Sequence, residues 1–259
     1  MIKLLLLCLF LASSLLAKEQ KPLIVGMELS YPPFETLDPS GNPCGVSVDL
    51  AYALGDYLER EICIENIPFI GLIPSLNTGK IDLILSSMSV TPERESVIAF
   101  SDAYLSTGLC LLLSLKTKGS TFEDVDIKGN TLVVKLGTTA EVYARAHVKK
   151  AELMSLDRES TCVLEVVQGK ANAFIYDQLS ILRNWQNYPK ETRAILNPFV
   201  RENWAIGIRK TDPELKASIN AFLKQFRADG GFRRLENKYF EKEQKFFKEQ
   251  GVPFIFDVR

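Results

Sequence analysis

The sequence predicts an α/β fold of two lobes, in which each lobe is a mainly parallel sheet flanked by helices and hinge strands join the two. Over residues 23–85, short apolar runs with β-branched residues alternate with amphipathic helical stretches. The same alternation begins again at residue 131. The chain also repeats itself, because residues 76–84 and 166–174 both read as a helix end, a glycine, a lysine and a buried strand.

The first lobe is predicted to begin with three strands and two helices. The strands cover residues 23–26, 62–67 and 81–85, and the helices cover residues 48–58 and 70–78. Strand, helix and strand in this order form the βαβ unit of a parallel sheet.

The second lobe repeats this order. Its strands are predicted at residues 131–136 and 171–176, and its helices at residues 140–148, 160–168 and 178–185.

The last part of the chain is predicted to contain a strand at 203–209 and helices at 213–229 and 232–250. Pro213 stands in the first turn of the earlier of these helices, and Gly230 follows its end. These elements are too few for a lobe of their own, so we expect them to return to the first lobe.

The predicted lobe boundaries follow from this order. Residues 18–108 and 201–259 form lobe 1, and residues 109–200 form lobe 2.

Residues 1–17 resemble a secretory signal peptide. Lys3 precedes an apolar run at 4–12, and Ala17 ends the segment before a polar stretch. The alternative, a membrane anchor, needs about 20 apolar residues, more than this run provides. We therefore expect cleavage and export to the periplasm, with the exact cleavage site left open by the large Leu15.

The composition excludes several classes of function. The 259 residues are 46% hydrophobic and 24% charged, as in ordinary globular proteins. Lys and Arg number 31 against 32 for Asp and Glu, and no basic block occurs, so we expect no nucleic-acid partner. A single histidine, His147, argues against zinc sites and Ser-His-Asp triads. We expect no metal site and no cofactor.

Four cysteines remain after the signal peptide, namely Cys44, Cys63, Cys110 and Cys162. Four cysteines allow three disulfide pairings, and spacing does not choose among them. Because each lies in or near an apolar segment, buried free thiols are at least as well supported as disulfides.

The candidate site residues follow the predicted strands, where ligands bind in open α/β sheets. Ser86, Ser87 and Ser89 come after the strand at 81–85, and Arg94 follows them. Serine hydroxyls and a guanidinium together suit a carboxylate. A capped helix start with a surface arginine is the alternative.

Three other strand ends carry polar or aromatic residues. Thr138 and Thr139 stand at a helix start that suits an anion. Asp177 suits an ammonium group, or alternatively the N-cap of the next helix. Glu28 and Tyr31 follow the first strand. Anion donors, an opposed carboxylate and aromatic walls suit a zwitterion.

A set of short motifs, taken in order and spacing, resembles a known family. The motifs are residues 25–26, 31–35 (Tyr-Pro-Pro-Phe-Glu), 45–50, 72–76, 80–82, 87–94 (Ser-Met-Ser-Val-Thr-Pro-Glu-Arg), 99–101, 137–139 and 207–210. They resemble the periplasmic polar-amino-acid-binding proteins of ABC importers, solute-binding protein family 3. The resemblance covers essentially the whole mature chain and implies the two-lobed periplasmic-binding-protein (type II) fold.

The resemblance also implies roles for individual residues. Arg94 would clamp the ligand α-carboxylate, with help from Ser87, Ser89 and Thr139. Asp177 would take the α-ammonium group. Tyr31 and Phe69 would enclose the aliphatic stem of the ligand. Ser86 and Thr138 complete the predicted binding set.

Ligand choice is predicted from Lys135 and Glu28. In glutamine binders of this family, a lysine like Lys135 meets the side-chain amide oxygen, and an acid at the position of Glu28, which is commonly Asp, meets the amide nitrogen. Glutamine is therefore favoured. If Lys135 instead faces solvent, Glu28 favours arginine or lysine, and a Lys135–Glu28 pair is a further alternative.

We expect a monomeric binding protein, not an enzyme, that traps a free amino acid by cleft closure and delivers it to an ABC transporter permease. The alternative is an exported enzyme on the same fold that resembles the cyclohexadienyl dehydratases.

Overall fold

The computed structural model describes residues 21–249 and 255–256. The predicted signal peptide at residues 1–17 lies outside these ranges. Within them, no helix is both long and apolar enough to cross a membrane.

The strands are numbered here in chain order. They are β1 (Leu23–Met27), β2 (Thr36–Leu37), β3 (Pro43–Cys44), β4 (Ile62–Asn66), β5 (Leu83–Ile84), β6 (Ala99–Phe100), β7 (Leu105–Ser114), β8 (Thr131–Lys135), β9 (Glu152–Leu156), β10 (Ala173–Asp177), β11 (Thr192–Trp204) and β12 (Gly207–Ile208).

The helices are numbered in the same way. They are α1 (Val46–Leu58), α2 (Leu72–Asn77), α3 (Pro92–Val97), α4 (Phe122–Val125), α5 (Thr139–His147), α6 (Glu159–Val167), α7 (Gln178–Asn187), α8 (Pro213–Ala228), α9 (Gly231–Tyr239) and α10 (Glu241–Glu249). A 3-10 turn at Phe69–Gly71 leads into α2.

Ten of the strands form two five-stranded sheets, which confirms the two-sheet α/β fold, and β2 pairs with β3 in a separate two-stranded sheet. The first has the order β4-β1-β5-β12-β6 and the second β11-β7-β10-β8-β9. β1 pairs in parallel with β4 and β5, and β8 pairs in parallel with β9 and β10. In each five-stranded sheet the other two pairs are antiparallel, so the sheets are mixed and not mainly parallel as expected. The antiparallel pairs arise because β7, β11 and β12 belong to the segments that cross between the sheets or return from them. The predicted division of the chain at residues 108 and 200 stays a prediction.

The internal repeat appears as two matching turns. Gly79 and Gly169 follow α2 and α6 in the left-handed region, with φ of +76° and +72°. After each glycine, Lys80 or Lys170 donates its N–H to the carbonyl five residues earlier, at 3.0 and 2.9 Å. Glycine adopts this conformation without steric penalty, which is why both helices end there.

The predicted strand at 203–209 is divided in two by the crossing between the sheets. Ala205 donates its N–H to the carbonyl of Met88, and Ile206 donates to the Ser101 hydroxyl. These partners draw the backbone away from both sheets, so β11 ends before β12 begins.

The predicted helix at 232–250 is also divided, into α9 and α10. Phe240 breaks it with φ of −135° and ψ of 25°. Its side chain is fully buried. Turning this aromatic ring into the core is favourable enough to interrupt the helix, since such a ring buries about 150–250 Å².

Two crossing segments run side by side between the sheets. Leu105 is paired with Trp204, and Gly207 is paired with Phe100. Residues 88–90 join them, because Val90 donates its N–H to the carbonyl of Asn203 at 2.9 Å. The crossing is therefore a hydrogen-bonded ribbon that continues from one sheet into the other.

The cysteines Cys44, Cys63, Cys110 and Cys162 are all free thiols. Cys110 and Cys162 are buried, and Cys63 is exposed. Burial raises the pKa of Cys162 to about 12. The structure thus agrees with the free-thiol alternative.

Candidate functional site

A small cavity of about 40 Å³ lies between the two sheets. All eleven residues predicted to bind ligand line it, namely Glu28, Tyr31, Phe69, Ser86, Ser87, Ser89, Arg94, Lys135, Thr138, Thr139 and Asp177. Six further residues that the sequence did not indicate complete the wall, namely Glu35, Leu109, Ala140, Tyr176, Glu202 and Trp204. The structure therefore brings the predicted set together, and its binding role stays a prediction.

Arg94 points into this cavity from the short helix α3. Thr91 caps the helix by accepting the Arg94 N–H at 3.2 Å, so the capped-helix alternative is correct for the backbone. The guanidinium, however, lies in the cavity wall. It donates to the carbonyl of Ser89 at 2.7 Å and to that of Gly137 at 3.1 Å. Among the described residues no carboxylate forms an ion pair with it.

Asp177 ends β10, and its carboxylate accepts three hydrogen bonds. One carboxylate oxygen accepts the N–H groups of Leu179 and Ser180 at 3.1 and 3.0 Å, which is the N-cap role considered above. The other oxygen accepts the hydroxyl of Tyr31, which belongs to the opposite wall. Burial raises the pKa of Asp177 to about 7, against the lowering effect of the Tyr31 hydrogen bond.

Lys135 ends β8 and is buried, with 3% of its side chain exposed. Its ammonium group pairs with the carboxylate of Glu28 across the cleft. Glu28 also accepts the N–H of Phe69 at 3.3 Å. Of the alternatives for Lys135, the structure shows the pair with Glu28 and rules out the solvent-facing side chain.

The ring of Phe69 lies between the two cations of the cavity. Its centroid is 5.4 Å from the Arg94 guanidinium carbon and 5.5 Å from the Lys135 nitrogen. Both are within the range of cation–π attraction.

The start of α5 offers less to an anion than the sequence suggested. The Gly137 N–H already donates to the Glu141 carboxylate at 2.7 Å. Thr138 caps the helix and donates its hydroxyl to the Lys135 carbonyl at 2.7 Å. Thr139 lines the cavity from the first turn of the helix.

Two carboxylates were missed by the sequence reasoning. Glu202 accepts the Ser89 hydroxyl at 2.8 Å, and it belongs to β11, a strand that the pattern did not predict in full. Glu35 is 1% exposed and accepts the hydroxyls of three serines. The signal for Glu35 was present, since it is a carboxylate directly after the apolar Pro-Pro-Phe run.

Known proteins that resemble this chain identify its family. Residues 23–242 match the model of the bacterial extracellular solute-binding proteins, family 3. The chain belongs to this family. The resemblance found from the sequence is thereby confirmed.

Two relatives of this family 3 protein are named for an amino-acid ligand. It is 30% identical over 231 residues to the L-arginine-binding protein of Pseudomonas aeruginosa, with 85% of this chain and 88% of the relative covered. It is 28% identical over 228 residues to the histidine-binding periplasmic protein of Salmonella typhimurium, with 84% and 86% covered.

Solved structures of similar proteins share the two-lobed fold. A putative ABC-transporter binding component of Wolinella succinogenes, complexed with lysine, has a TM-score of 0.81 at 32% identity, over 87% of this chain and 98% of that one. An ancestral amino-acid-binding protein, described as a precursor of cyclohexadienyl dehydratase, has a TM-score of 0.79 at 33% identity, over 85% and 96%.

Proposed function

We propose that this family 3 protein binds a free polar L-amino acid, with glutamine preferred over arginine and lysine, and delivers it to the permease of an ABC transporter. The observation that carries the proposal is the contrast between the two cavity cations. Arg94 has no carboxylate partner among the described residues, whereas Lys135 is paired with Glu28.

The Arg94 region provides a place for the α-carboxylate. A guanidinium has five N–H donors, and the two backbone carbonyls occupy only part of them. A carboxylate is the group that this remaining charge and donor geometry favour.

The Asp177 region provides a place for the α-ammonium group. The buried carboxylate has a pKa of about 7, raised by burial. An ammonium group beside it favours the ionised form, because its positive charge compensates the carboxylate charge that burial penalises. Both ends of an amino-acid backbone are therefore accommodated.

The Lys135–Glu28 pair favours a neutral side chain that both donates and accepts. A glutamine amide offers its oxygen to Lys135 and its nitrogen to Glu28. A cationic side chain gains little there, because repulsion by Lys135 offsets its attraction to Glu28, each being about 4 kcal/mol for unit charges 4 Å apart at an effective dielectric constant of 20.

Closure of the two lobes around the ligand belongs to the same proposal. Three contacts join opposite walls: Tyr31 with Asp177, Glu28 with Lys135, and Arg94 with the Gly137 carbonyl. A ligand that touches both walls stabilises the closed arrangement relative to an open one. The family description and the signal-like N-terminus support a periplasmic location, and we propose a monomer without cofactor.

A thermal-shift screen of the purified protein against the twenty amino acids, followed by calorimetry, tests the proposal. We expect the largest rise in melting temperature with glutamine. A larger rise with arginine or lysine would replace glutamine by a cationic ligand. No rise with any amino acid would contradict the function itself.

An enzymatic function is the second candidate, and two observations favour it. One structural neighbour is described as the precursor of a dehydratase. A buried carboxyl, Glu35, with a pKa raised by burial to about 8, lines the cavity. Turnover of prephenate or arogenate by the purified protein would establish this alternative, and we expect none.

A further inference from the structure

We propose that Glu35 is a proton-binding positioning residue: when it takes up a proton, the Ser87 hydroxyl is released to donate to the ligand carboxylate, so that binding is coupled to proton uptake. The inference rests on the proposed function, because it concerns the α-carboxylate of a bound amino acid.

The geometry around Glu35 is a closed set of serine hydroxyls. Its carboxylate accepts from Ser47 at 2.6 Å, from Ser87 at 3.0 Å and from Ser86 at 3.3 Å. The Ser86 oxygen is also held from a second side, because it accepts the N–H of Glu28 at 2.9 Å. Ser87 is different, because it lines the cavity and its hydroxyl has Glu35 as its only hydrogen-bond partner among the described residues.

The backbone of Ser87 supports a specific role for its hydroxyl. Its φ is +50°, in the left-handed region that a residue with a side chain seldom adopts. Such a strained conformation persists where the surroundings enforce it, often at ligand sites.

The protonation state of Glu35 determines whether the Ser87 hydroxyl presents its lone pairs or its proton to the cavity. When Glu35 is ionised it only accepts, so Ser87 donates to it and presents lone pairs to the cavity, where they repel a carboxylate. When Glu35 carries a proton, its O–H donates to the Ser87 oxygen, and the Ser87 proton turns toward the ligand. One proton moves from water to Glu35, and no bond of the ligand changes.

The surroundings of Glu35 favour its neutral form. Burial raises its pKa from 4.5 to about 8, against the lowering effects of the three serines and of Lys135. Tyr104 and Tyr176 also face it, and burial, with the Glu35 charge as a further cause, raises the pKa of both phenols. Other charged groups of the cavity wall are Glu28, Arg94, Asp177 and Glu202.

A ligand carboxylate adds a like charge beside Glu35 and favours the protonated form further. The sign of the pH dependence follows. The part of the affinity that depends on Glu35 is fully present well below pH 8, where Glu35 is protonated before binding, and is lost as the pH rises through 8.

Calorimetric titration with L-glutamine, and with L-arginine as a second probe, tests this at pH 7 and pH 9. We expect the wild type to lose about tenfold more affinity between these pH values than Glu35→Gln, which cannot ionise. Titration of the ligand ammonium group and of Asp177 affects both proteins and cancels in the ratio. Glu35→Gln should keep its affinity at pH 7 within about threefold, because its amide N–H replaces the carboxyl O–H as donor.

Glu243→Gln is the matched control. Glu243 is also buried, but it lies outside the cavity and pairs with Arg183. This variant should follow the pH profile of the wild type.

Titration at pH 8 in two buffers of different ionisation enthalpy counts the protons directly. The wild type should take up about half a proton more per ligand than Glu35→Gln, since Glu35 is about half ionised at its pKa. Equal pH profiles or equal proton counts would overturn the proposal. If Glu35→Gln does not fold, Ser87→Ala takes its place: a smaller pH dependence than that of the wild type is expected, and an equal one overturns the inference. Failure of the wild type to bind either probe at any pH would contradict the proposed function instead.

Discussion

The two cations of the cavity are held in opposite ways. Arg94 is held by two backbone carbonyls and forms no ion pair with a carboxylate among the described residues, although the charges of Glu202 and Glu93 act on it. Lys135 is held by the Glu28 carboxylate, with side chains 3% and 13% exposed. The comparison shows where the cavity has charge left for a ligand and where it does not. On the proposed function, affinity for any amino acid would depend on Arg94, and the choice among amino acids would depend on Lys135.

The largest expected effect is that of Arg94→Ala. Removing one partner of a buried ion pair costs about 3–5 kcal/mol, so binding of every amino acid should fall more than about a hundredfold. The melting temperature of the ligand-free protein should change little, because no carboxylate loses its partner. Calorimetry and thermal unfolding measure the two. An affinity within about threefold of the wild type would mean that Arg94 does not hold the carboxylate.

Lys135→Met should change ligand preference. Glutamine should lose roughly 1–3 kcal/mol of binding free energy, because its amide oxygen is left without a donor. Arginine should gain affinity, since Glu28 becomes free to pair with it. Competition binding of the two amino acids to both proteins measures the ratio. An unchanged ratio would mean that Lys135 does not determine which amino acid is preferred.

Asp177→Asn should weaken binding more than about tenfold, or roughly 1.4 kcal/mol, because the ammonium group loses its charged partner. The ligand-free protein should keep its stability, since Asn is as good an N-cap as Asp. Asp177→Ala is the control, and it should lose about 1 kcal/mol of unfolding free energy as well. Equal losses of stability in the two variants would assign Asp177 a mainly structural role.

The smallest expected effect concerns the Lys135–Glu28 pair in the ligand-free protein. Each of Lys135→Met and Glu28→Gln should lower the free energy of unfolding, because each leaves a desolvated charge alone. The double variant should recover part of the loss, with a coupling energy of about 1 kcal/mol in chemical denaturation. Strict additivity would mean that the pair contributes nothing to the fold.

The sequence predicted which residues line the cavity better than it predicted the hydrogen bonds and ion pairs among them. The strand ends that carry Ser86, Lys135 and Asp177 follow from a βαβ pattern that depends on local periodicity alone. Glu202 was missed because β11 is defined by pairing with β7, a contact between distant parts of the chain. The Lys135–Glu28 pair was only one of several alternatives, since it depends on how the two walls face each other.

The same reason explains the errors in the elements. A periodic pattern does not report that residues 205–206 leave one sheet for the other, nor that Phe240 turns into the core. Tertiary packing decides both, and it overrides local preference.

One end of the cavity lies next to the crossing ribbon, so residues there are close to the axis of a rotation about it. Residues 88–90 are hydrogen-bonded to the crossing strand, with Ser89 bridged to Trp204. In any rotation of the lobes about that ribbon, Ser89 and the Arg94 side chain bonded to it move least. The meeting of Lys135 with Glu28 depends on the whole rotation. If the lobes close about this ribbon as proposed, the carboxylate that all amino acids share would bind where the walls move least, and the side chain would be selected as closure is completed.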